Sequence, residues 1–218
     1  PRREAGLSSV WVGPAAQLEP MYERAMNLQV RGAWVLTSTS ATLGALALLV
    51  AWRTRQMVYG WFGLGNLIWA WRVSALHLHD PGPWAAVLHW MFELSYSLFV
   101  ACMGMFLLML VQRDSPTARR WMGAFVAAAV TLSLANAWFN LPGLRTVHLL
   151  MALLVTVVTA SFLGRHALAQ HSRNGWLLLA AALIGGLFGL RDWITFRVLL
   201  DYEAYTWTRY AILALMLV

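Results

Sequence analysis

The stretch from Trp84 to Val111 reads WAAVLHWMFELSYSLFVACMGMFLLMLV and decides the class of fold. Only one of its residues, Glu93, is an acid, and it contains neither Arg nor Lys. A helix rises about 1.5 Å per residue, so a run of this length is long enough to cross the roughly 30 Å hydrocarbon core of a bilayer. The stretch therefore predicts a transmembrane helix.

The whole chain has the composition of a membrane protein. Hydrophobic residues make up 60% of its 218 residues, charged residues make up 11%, and the mean hydropathy is +0.61. In soluble domains about a quarter of the residues are charged. The composition therefore predicts a protein whose solvent is largely lipid.

Seven apolar runs follow one another along the chain, separated by short polar or proline-containing turns. They predict an all-α, seven-transmembrane bundle. Residues 1–30 are mixed and polar, and we expect them to lie outside the bilayer. The last run is too short to span, so we expect a truncated seventh helix and a chain that is a fragment of a longer protein. The predicted spans are 31–52, 57–77, 84–111, 120–140, 146–165, 175–195 and 206–218.

The formal charge of +7 comes entirely from arginine, because the chain has no lysine. The arginines stand at the ends of apolar runs and form no basic stripe, so we expect no nucleic-acid partner. Without lysine, a retinal Schiff base is excluded. The single cysteine, Cys102, excludes an intrachain disulfide.

The arginines also predict orientation, because short cytoplasmic loops are enriched in basic residues. The second loop has no arginine and the fourth has only Arg145, whereas the sixth contradicts the trend with Arg191 and Arg197. On balance the pattern predicts an N-terminus outside the membrane, with tryptophans near the span ends as interfacial anchors. The first, third and fifth loops carry the basic residues Arg53, Arg55, Arg113, Arg119, Arg120, Arg165 and Arg173.

Four motifs in sequence order resemble a known family. They are VGPAAQLEPMYERAMNLQVRGAW at residues 12–34, RQMVYGWFGLGNLIWAWR at 55–72, GLRDW at 189–193 and TRYA at 208–211. Together they resemble the membrane module of bacterial seven-transmembrane receptors with diverse intracellular signalling modules. The arrangement looks most like the sensor histidine kinases of that family.

The resemblance implies a sensory and signal-transducing role in a bacterial inner membrane. Residues 1–30 would be the tail of an extracytoplasmic β-sandwich and its connection to the first helix. An output domain would follow Val218 and would make the receptor a homodimer. The implied partners are the lipid bilayer, the periplasmic domain of the same chain and an unidentified small-molecule or protein stimulus.

Polar residues inside the predicted spans are the candidate site, because ionisable groups in hydrocarbon are costly and usually face a bundle interior. The candidates all fall in the predicted outer half of the bilayer, which favours an outward-facing polar pocket. We expect an ion pair of Arg72 or Arg191 with Glu93 or Asp192. The alternative is that long side chains only reach for the headgroups. The candidates are Arg72, His89, Glu93, Asn136, Arg191 and Asp192.

A metal-dependent membrane hydrolase is the alternative from another class. Its ligands would be His77, His79, Asp80 and His148, all on the predicted outer side. A small-solute transporter is a third possibility, disfavoured because the spans contain no proline and show no repeat. No catalytic residue and no cofactor are recognisable from the sequence, so whether this chain is itself an enzyme stays open.

Overall fold

The structure, a computed structural model, describes residues 12–75, 82–139, 142–170, 173–197 and Tyr210, and nearly all of them are helical. A short 3₁₀ turn, Gly82–Trp84, precedes the fourth helix. The helices are α1 (Ala15–Met26), α2 (Gly32–Thr54), α3 (Met57–Ala75), α4 (Ala85–Leu110), α5 (Pro116–Phe139), α6 (Pro142–Gln170) and α7 (Arg173–Arg197).

Within the described residues, five helices are long and apolar enough to cross a membrane. These are α2, α4, α5, α6 and α7. Helix α3 does not reach the same hydropathy, because Asn66, Arg72 and several glycines and aromatic residues interrupt its apolar run. The all-helical prediction is thus confirmed, and the five apolar helices indicate a multi-pass membrane protein. The predicted seventh span, 206–218, lies outside the described residues except for Tyr210.

Three boundaries differ from the predicted ones by more than two residues, and proline explains two of them. Helices α5 and α6 begin at Pro116 and Pro142, about four residues before the predicted spans, in stretches that the hydropathy pattern predicts to be loops. Proline suits the first helical turn, since its missing N–H needs no partner there. Helix α6 also continues to Gln170, five residues beyond the predicted end of its span.

The segment before the first span is helical. Helix α1 contains Pro20 and passes through a π-helical turn, Asn27–Arg31, directly into α2. The Arg31 guanidinium fastens the turn, because it donates to Glu23 at 3.1 Å and to Asn27 at 2.7 Å. This helix forms the connection to the first span. Residues 1–11, the rest of the proposed sandwich tail, lie outside the described residues.

Helices α2 and α3 pack antiparallel with their backbones almost touching. A Cβ built on Gly44 would lie 2.9 Å from the carbonyl oxygen of Gly63, and one on Gly63 would lie 2.8 Å from that of Gly44. Small residues allow this approach, which is a common way for helices to associate in lipid. The crossing brings Ala33 and Leu36 of α2 against Trp69 and Val73 of α3, near the C-terminal end of α3.

Helix α4 is the centre of the bundle. About 72% of its span is buried, against 22% for α5 and α6 and 11% for α7. It packs on α3, α5 and α6, while α7 packs mainly on α6. Its apolar half joins Val100, Met105 and Leu108 to Phe125 of α5 and Ala152 of α6. The most polar residues of α4, in contrast, stand near its N-terminus.

Candidate functional site at one end of the bundle

Neighbouring helices run antiparallel, so the C-terminal ends of α3, α5 and α7 meet the N-terminal ends of α4 and α6. We call this the Glu93 end of the bundle. It contains a polar cluster formed by Arg72, Glu93, Asn136, Arg145 and His148, with His89 at its edge. Each helix from α3 to α6 contributes at least one side chain to the cluster.

Glu93 is the centre of the cluster. Glu93 is only 8% exposed, and its two carboxylate oxygens face different helices. Asn136 of α5 donates to Oε2 at 3.0 Å, and Nε of Arg145 on α6 lies 3.2 Å from Oε1. The Arg145 contact is an ion pair without good hydrogen-bond alignment. His89, one turn earlier on α4, lies 3.5 Å away. One buried carboxylate therefore links α4, α5 and α6.

Two further polar contacts join the same helices on either side of Glu93 along α4. The buried His148 of α6 shares a 2.5 Å hydrogen bond between its Nε2 and the hydroxyl of Ser97 on α4. The indole N–H of Trp90 on α4 donates to Ser133 of α5 at 3.0 Å. The charges of Glu93, Arg72 and Arg145 all act on the His148 ring. These contacts make the cluster one connected network.

Arg72 reaches from α3 toward α4, where it contacts the backbone and a hydroxyl group. Its Nη1 donates to the carbonyl of Phe92 and, at 3.1 Å, to the hydroxyl of Ser95. Its guanidinium lies 4.0 Å from the ring centre of Phe92 and 5.4 Å from that of Tyr96. Among the described residues, no acidic side chain lies within ion-pair distance of Arg72. The aromatic rings and the backbone carbonyl stabilise its charge in part.

Asp192 and Arg191 form a second polar group on α7. Nη1 of Arg191 lies 2.9 Å from Oδ1 of Asp192, and Asp192 is buried. Tyr96 connects this group to the cluster, because its hydroxyl would lie 3.3 Å from a Cβ on Gly189, one turn before Asp192. The charges of Arg72 and Asp192 both act on Tyr96.

The structure brings four of the six candidate residues together in the cluster and puts the other two beside it. The expected ion pair of Arg191 with Asp192 is present, but Arg72 pairs with neither Glu93 nor Asp192. The partner of Glu93 is Arg145, which the hydropathy pattern predicts to lie in a loop. Pro142 is the signal that could have found Arg145, because a helix that begins at this proline puts Arg145 on the same face as His148.

The metal-site alternative has no further support in the described part of the chain. Among the described residues, no three or more His, Cys, Asp or Glu side chains form a group able to hold a metal ion. Three of the four proposed ligands, His77, His79 and Asp80, lie outside the described residues. The fourth, His148, is bonded to Ser97.

A small cavity lies beside the cluster, between α3, α4, α6 and α7. Its volume is about 80 Å³ and its wall is mostly apolar. Tyr96 belongs to both features, because it lines the cavity and lies beneath the Arg72 guanidinium. The lining includes Trp69, Tyr96, Phe99, Met103, Thr156 and Gly186.

No protein-family model, no curated protein and no solved structure matches this chain. The fold and the cluster define it as a multi-pass helical membrane protein with a polar network at one end of its bundle. Any functional assignment therefore depends on the sequence pattern and on the geometry of that network.

Proposed function

We propose that the chain is the transmembrane sensory and signal-transducing module of a bacterial receptor in the inner membrane. The observation that carries this proposal is the buried Glu93, which is held by side chains from three helices at one end of an otherwise apolar bundle. A charged group at such depth is costly and by default indicates a functional site. A network that joins several helices can respond as a unit to a stimulus at that end.

The proposed bundle has seven spans with the N-terminus outside. In this arrangement helix α3 would be the second span, because it packs on both α2 and α4 and its 19 residues, Met57–Ala75, lie between them in the chain. Tyr210 supports a further segment beside these helices, since it packs against the cluster of Ala33, Leu36, Trp69 and Val73. In this orientation the Glu93 end faces the periplasm.

The proposed mechanism is a change of packing transmitted along the bundle. A periplasmic stimulus at the Glu93 end would favour one of two arrangements of α4, α5 and α6. The seventh span would carry that shift to an output domain, which on the family resemblance is a dimeric histidine kinase. A ligand shifts such an equilibrium only as far as its affinities for the two arrangements differ.

The decisive experiment uses the full-length receptor in membrane vesicles and measures autophosphorylation with and without the periplasmic domain. We expect Glu93→Gln to change the basal output at least threefold, because it removes the ion pair with Arg145. Glu19→Gln, on an exposed position of α1, is the matched control and should behave like the wild type. The proposal would be contradicted if Glu93→Gln, or a receptor whose bundle is replaced by one unrelated span, showed the same autophosphorylation as the wild type. The bundle would then serve only as a membrane anchor.

A further inference from the structure

Two side chains share one oxygen of Glu93. Nε of Arg145 lies 3.2 Å from Oε1, and Nε2 of His89 lies 3.5 Å from the same atom. The other oxygen, Oε2, accepts a hydrogen bond from Asn136 at 3.0 Å. Oε1 is buried, but among the described residues it has no hydrogen-bond partner. Because Oε1 is held by proximity and charge alone, a change of charge on one neighbour alters its contact with the other.

The two contacts join different parts of the bundle. Arg145 belongs to α6, so its contact with Glu93 ties α6 to α4. His89 precedes Glu93 by one turn on α4 itself, and residues four apart on a helix are neighbours on its surface. Moving Oε1 from Arg145 toward His89 would therefore replace a contact between two helices with a contact inside one helix.

The two neighbours also differ in how their charge responds to pH. Arginine stays protonated in proteins, whereas imidazole ordinarily changes its charge between about pH 5 and 8. The His89 side chain is 61% exposed, so a proton reaches it without any opening of the helices. A neutral imidazole attracts a carboxylate weakly, but an imidazolium donates from both ring nitrogens and makes a stronger, charge-assisted contact.

The other charges around Glu93 come from three helices. Among the described residues that pack on this part of α4, α5 contributes the neutral Asn136 and no charged group. The titratable or charged groups on the neighbouring helices are Arg72 of α3, Arg145 and His148 of α6, and the paired Arg191 and Asp192 of α7, which lie beside Tyr96. A proton on His89 thus adds a positive charge to a cluster that already has two arginines and one carboxylate.

The added charge acts on Arg145 at short range. The nitrogens of Arg145 and His89 both lie within 3.5 Å of one oxygen, so they are closer to each other than the screening length of about 8 Å at physiological salt. The Arg145 side chain is 44% exposed and can turn to water or to the headgroups. His148 is less accessible to a proton than His89, because it is buried and its Nε2 is shared with Ser97.

We propose that His89 is a pH-sensitive switch of the contact between α4 and α6. A proton on its imidazole draws Oε1 of Glu93 toward His89, weakens the ion pair of Glu93 with Arg145, and loosens α6 from α4 at the Glu93 end. Loss of the proton restores the contact between the helices. This inference rests on the proposed function only in making the proton a periplasmic stimulus, because the exchange itself needs no output domain.

The test is the cost of removing Arg145 at two pH values. The purified chain and its Arg145→Gln variant are unfolded reversibly in mixed micelles at about pH 8 and about pH 5, the two limits of the range in which imidazole ordinarily titrates. The ratio of the two unfolding constants measures what Arg145 contributes. We expect this ratio to be about threefold smaller at the lower pH, because Glu93 then keeps a cation, His89, when Arg145 is gone.

Three further variants separate His89 from the other titratable groups. His89→Gln cannot take up a proton, so its ratio should be the same at both pH values. His89→Lys stays charged, so its ratio should be small at both. His166→Gln, toward the opposite end of α6, is the matched control and should keep the pH dependence of the wild type. Because the His89 side chain is exposed, both replacements at this position should fold.

Spin labels measure the movement of the helices directly. Val87 of α4 and Val147 of α6 are 44% and 51% exposed near the Glu93 end, so both positions can carry a label. In Cys102→Ala/Val87→Cys/Val147→Cys we expect a longer mean distance between the labels at about pH 5, by on the order of 1–2 Å. The same labels in His89→Gln should give one distance at both pH values.

Any of three results would overturn the proposal. They are an equal cost of Arg145→Gln at both pH values, a pH dependence that survives in His89→Gln, which would assign the proton to Glu93 or His148, and a label distance that does not change with pH. Because these measurements use no output domain, a negative result leaves the signalling proposal in place. Wild-type kinase output from Glu93→Gln would in turn contradict the signalling role and leave the exchange at His89 intact.

Discussion

Glu93 of α4 and Arg145 of α6 form an ion pair at 3.2 Å across the Glu93 end of the bundle. The carboxylate is buried, whereas the arginine side chain is 44% exposed and reaches in from the first turn of its helix. The Glu93 carboxylate thus loses most of its hydration, whereas the Arg145 guanidinium remains partly hydrated. The strength of the pair depends on how completely the remaining lone pairs of Glu93 are satisfied: Asn136 donates to Oε2, whereas Oε1 has ion-pair contacts with Arg145 and His89 but no aligned hydrogen bond among the described residues.

Removing the arginine should destabilise the bundle more than its exposure suggests. Arg145→Gln leaves the Glu93 carboxylate buried without its cation, and we expect a loss of about 1–3 kcal/mol in the free energy of unfolding. The double variant Glu93→Gln/Arg145→Gln should recover part of that loss, since no unpaired charge remains. Reversible unfolding in mixed micelles, followed by far-UV circular dichroism, measures both.

The exposed pair of Arg31 and Glu23 on the N-terminal helix is the internal control. Its side chains are 62% and 48% exposed, and exposed pairs contribute about 0–1 kcal/mol. Arg31→Gln should therefore change the unfolding free energy by less than Arg145→Gln. If the two variants cost the same, the Glu93 pair is no stronger than a surface contact.

The sequence predicted helices and their order because apolar runs between polar turns leave few alternatives in lipid. Depth was also predictable, since Arg72, Glu93 and Asn136 were all placed toward the end of the bundle where they meet. Partners were not predictable. Pairing depends on which face each helix turns to its neighbours. Because an arginine side chain is long, residue spacing alone allows several acidic partners for each arginine.

Arg145 shows why the site predicted from the sequence lacked one of its residues. A hydropathy pattern begins a span at the first apolar residue, which put the start near residue 146 and left Arg145 in the loop. The helix begins at Pro142 instead, because a helix can start in the headgroup region before its apolar part. The charged first turn is therefore invisible to a search for apolar runs.

The glycine crossing of α2 and α3 should tolerate no methyl group. A Cβ on Gly44 would lie 2.9 Å from the Gly63 carbonyl oxygen and 3.0 Å from Leu67, so Gly44→Ala must push the helices apart. We expect a loss of about 1–3 kcal/mol in unfolding free energy, as in other overpacked sites. The same unfolding assay in micelles gives the value.

Gly123 on α5 provides the same chemical change without the contact. Nothing lies within 4 Å of a Cβ built there, so Gly123→Ala should be neutral or gain up to about 1 kcal/mol from helix propensity. Equal destabilisation by the two substitutions would show that the effect comes from helix propensity and not from the crossing.

The purified chain should hold far less than one zinc ion per molecule. His148 is bonded to Ser97, and the charges of Arg72 and Arg145 near its ring oppose a divalent cation, whereas the one nearby carboxylate, Glu93, is already paired with Arg145. Mass spectrometry of the metal content after dialysis measures the ratio. One zinc per chain that disappears in His148→Ala would instead favour the metal-dependent hydrolase, with ligands from residues 77–80.

Cysteine labelling should place Thr117 and Gly143 on opposite sides of the membrane. Thr117 is exposed in the first turn of α5 and Gly143 is exposed in the first turn of α6, the next helix, and the native Cys102 is buried, so it contributes little background. With the N-terminus outside, a membrane-impermeant maleimide added to intact spheroplasts should label Gly143→Cys but not Thr117→Cys. After permeabilisation both cysteines should react, because the maleimide then reaches both sides of the membrane. Labelling of Thr117→Cys alone in intact spheroplasts would invert the topology, and labelling of both would show that α5 does not cross the bilayer.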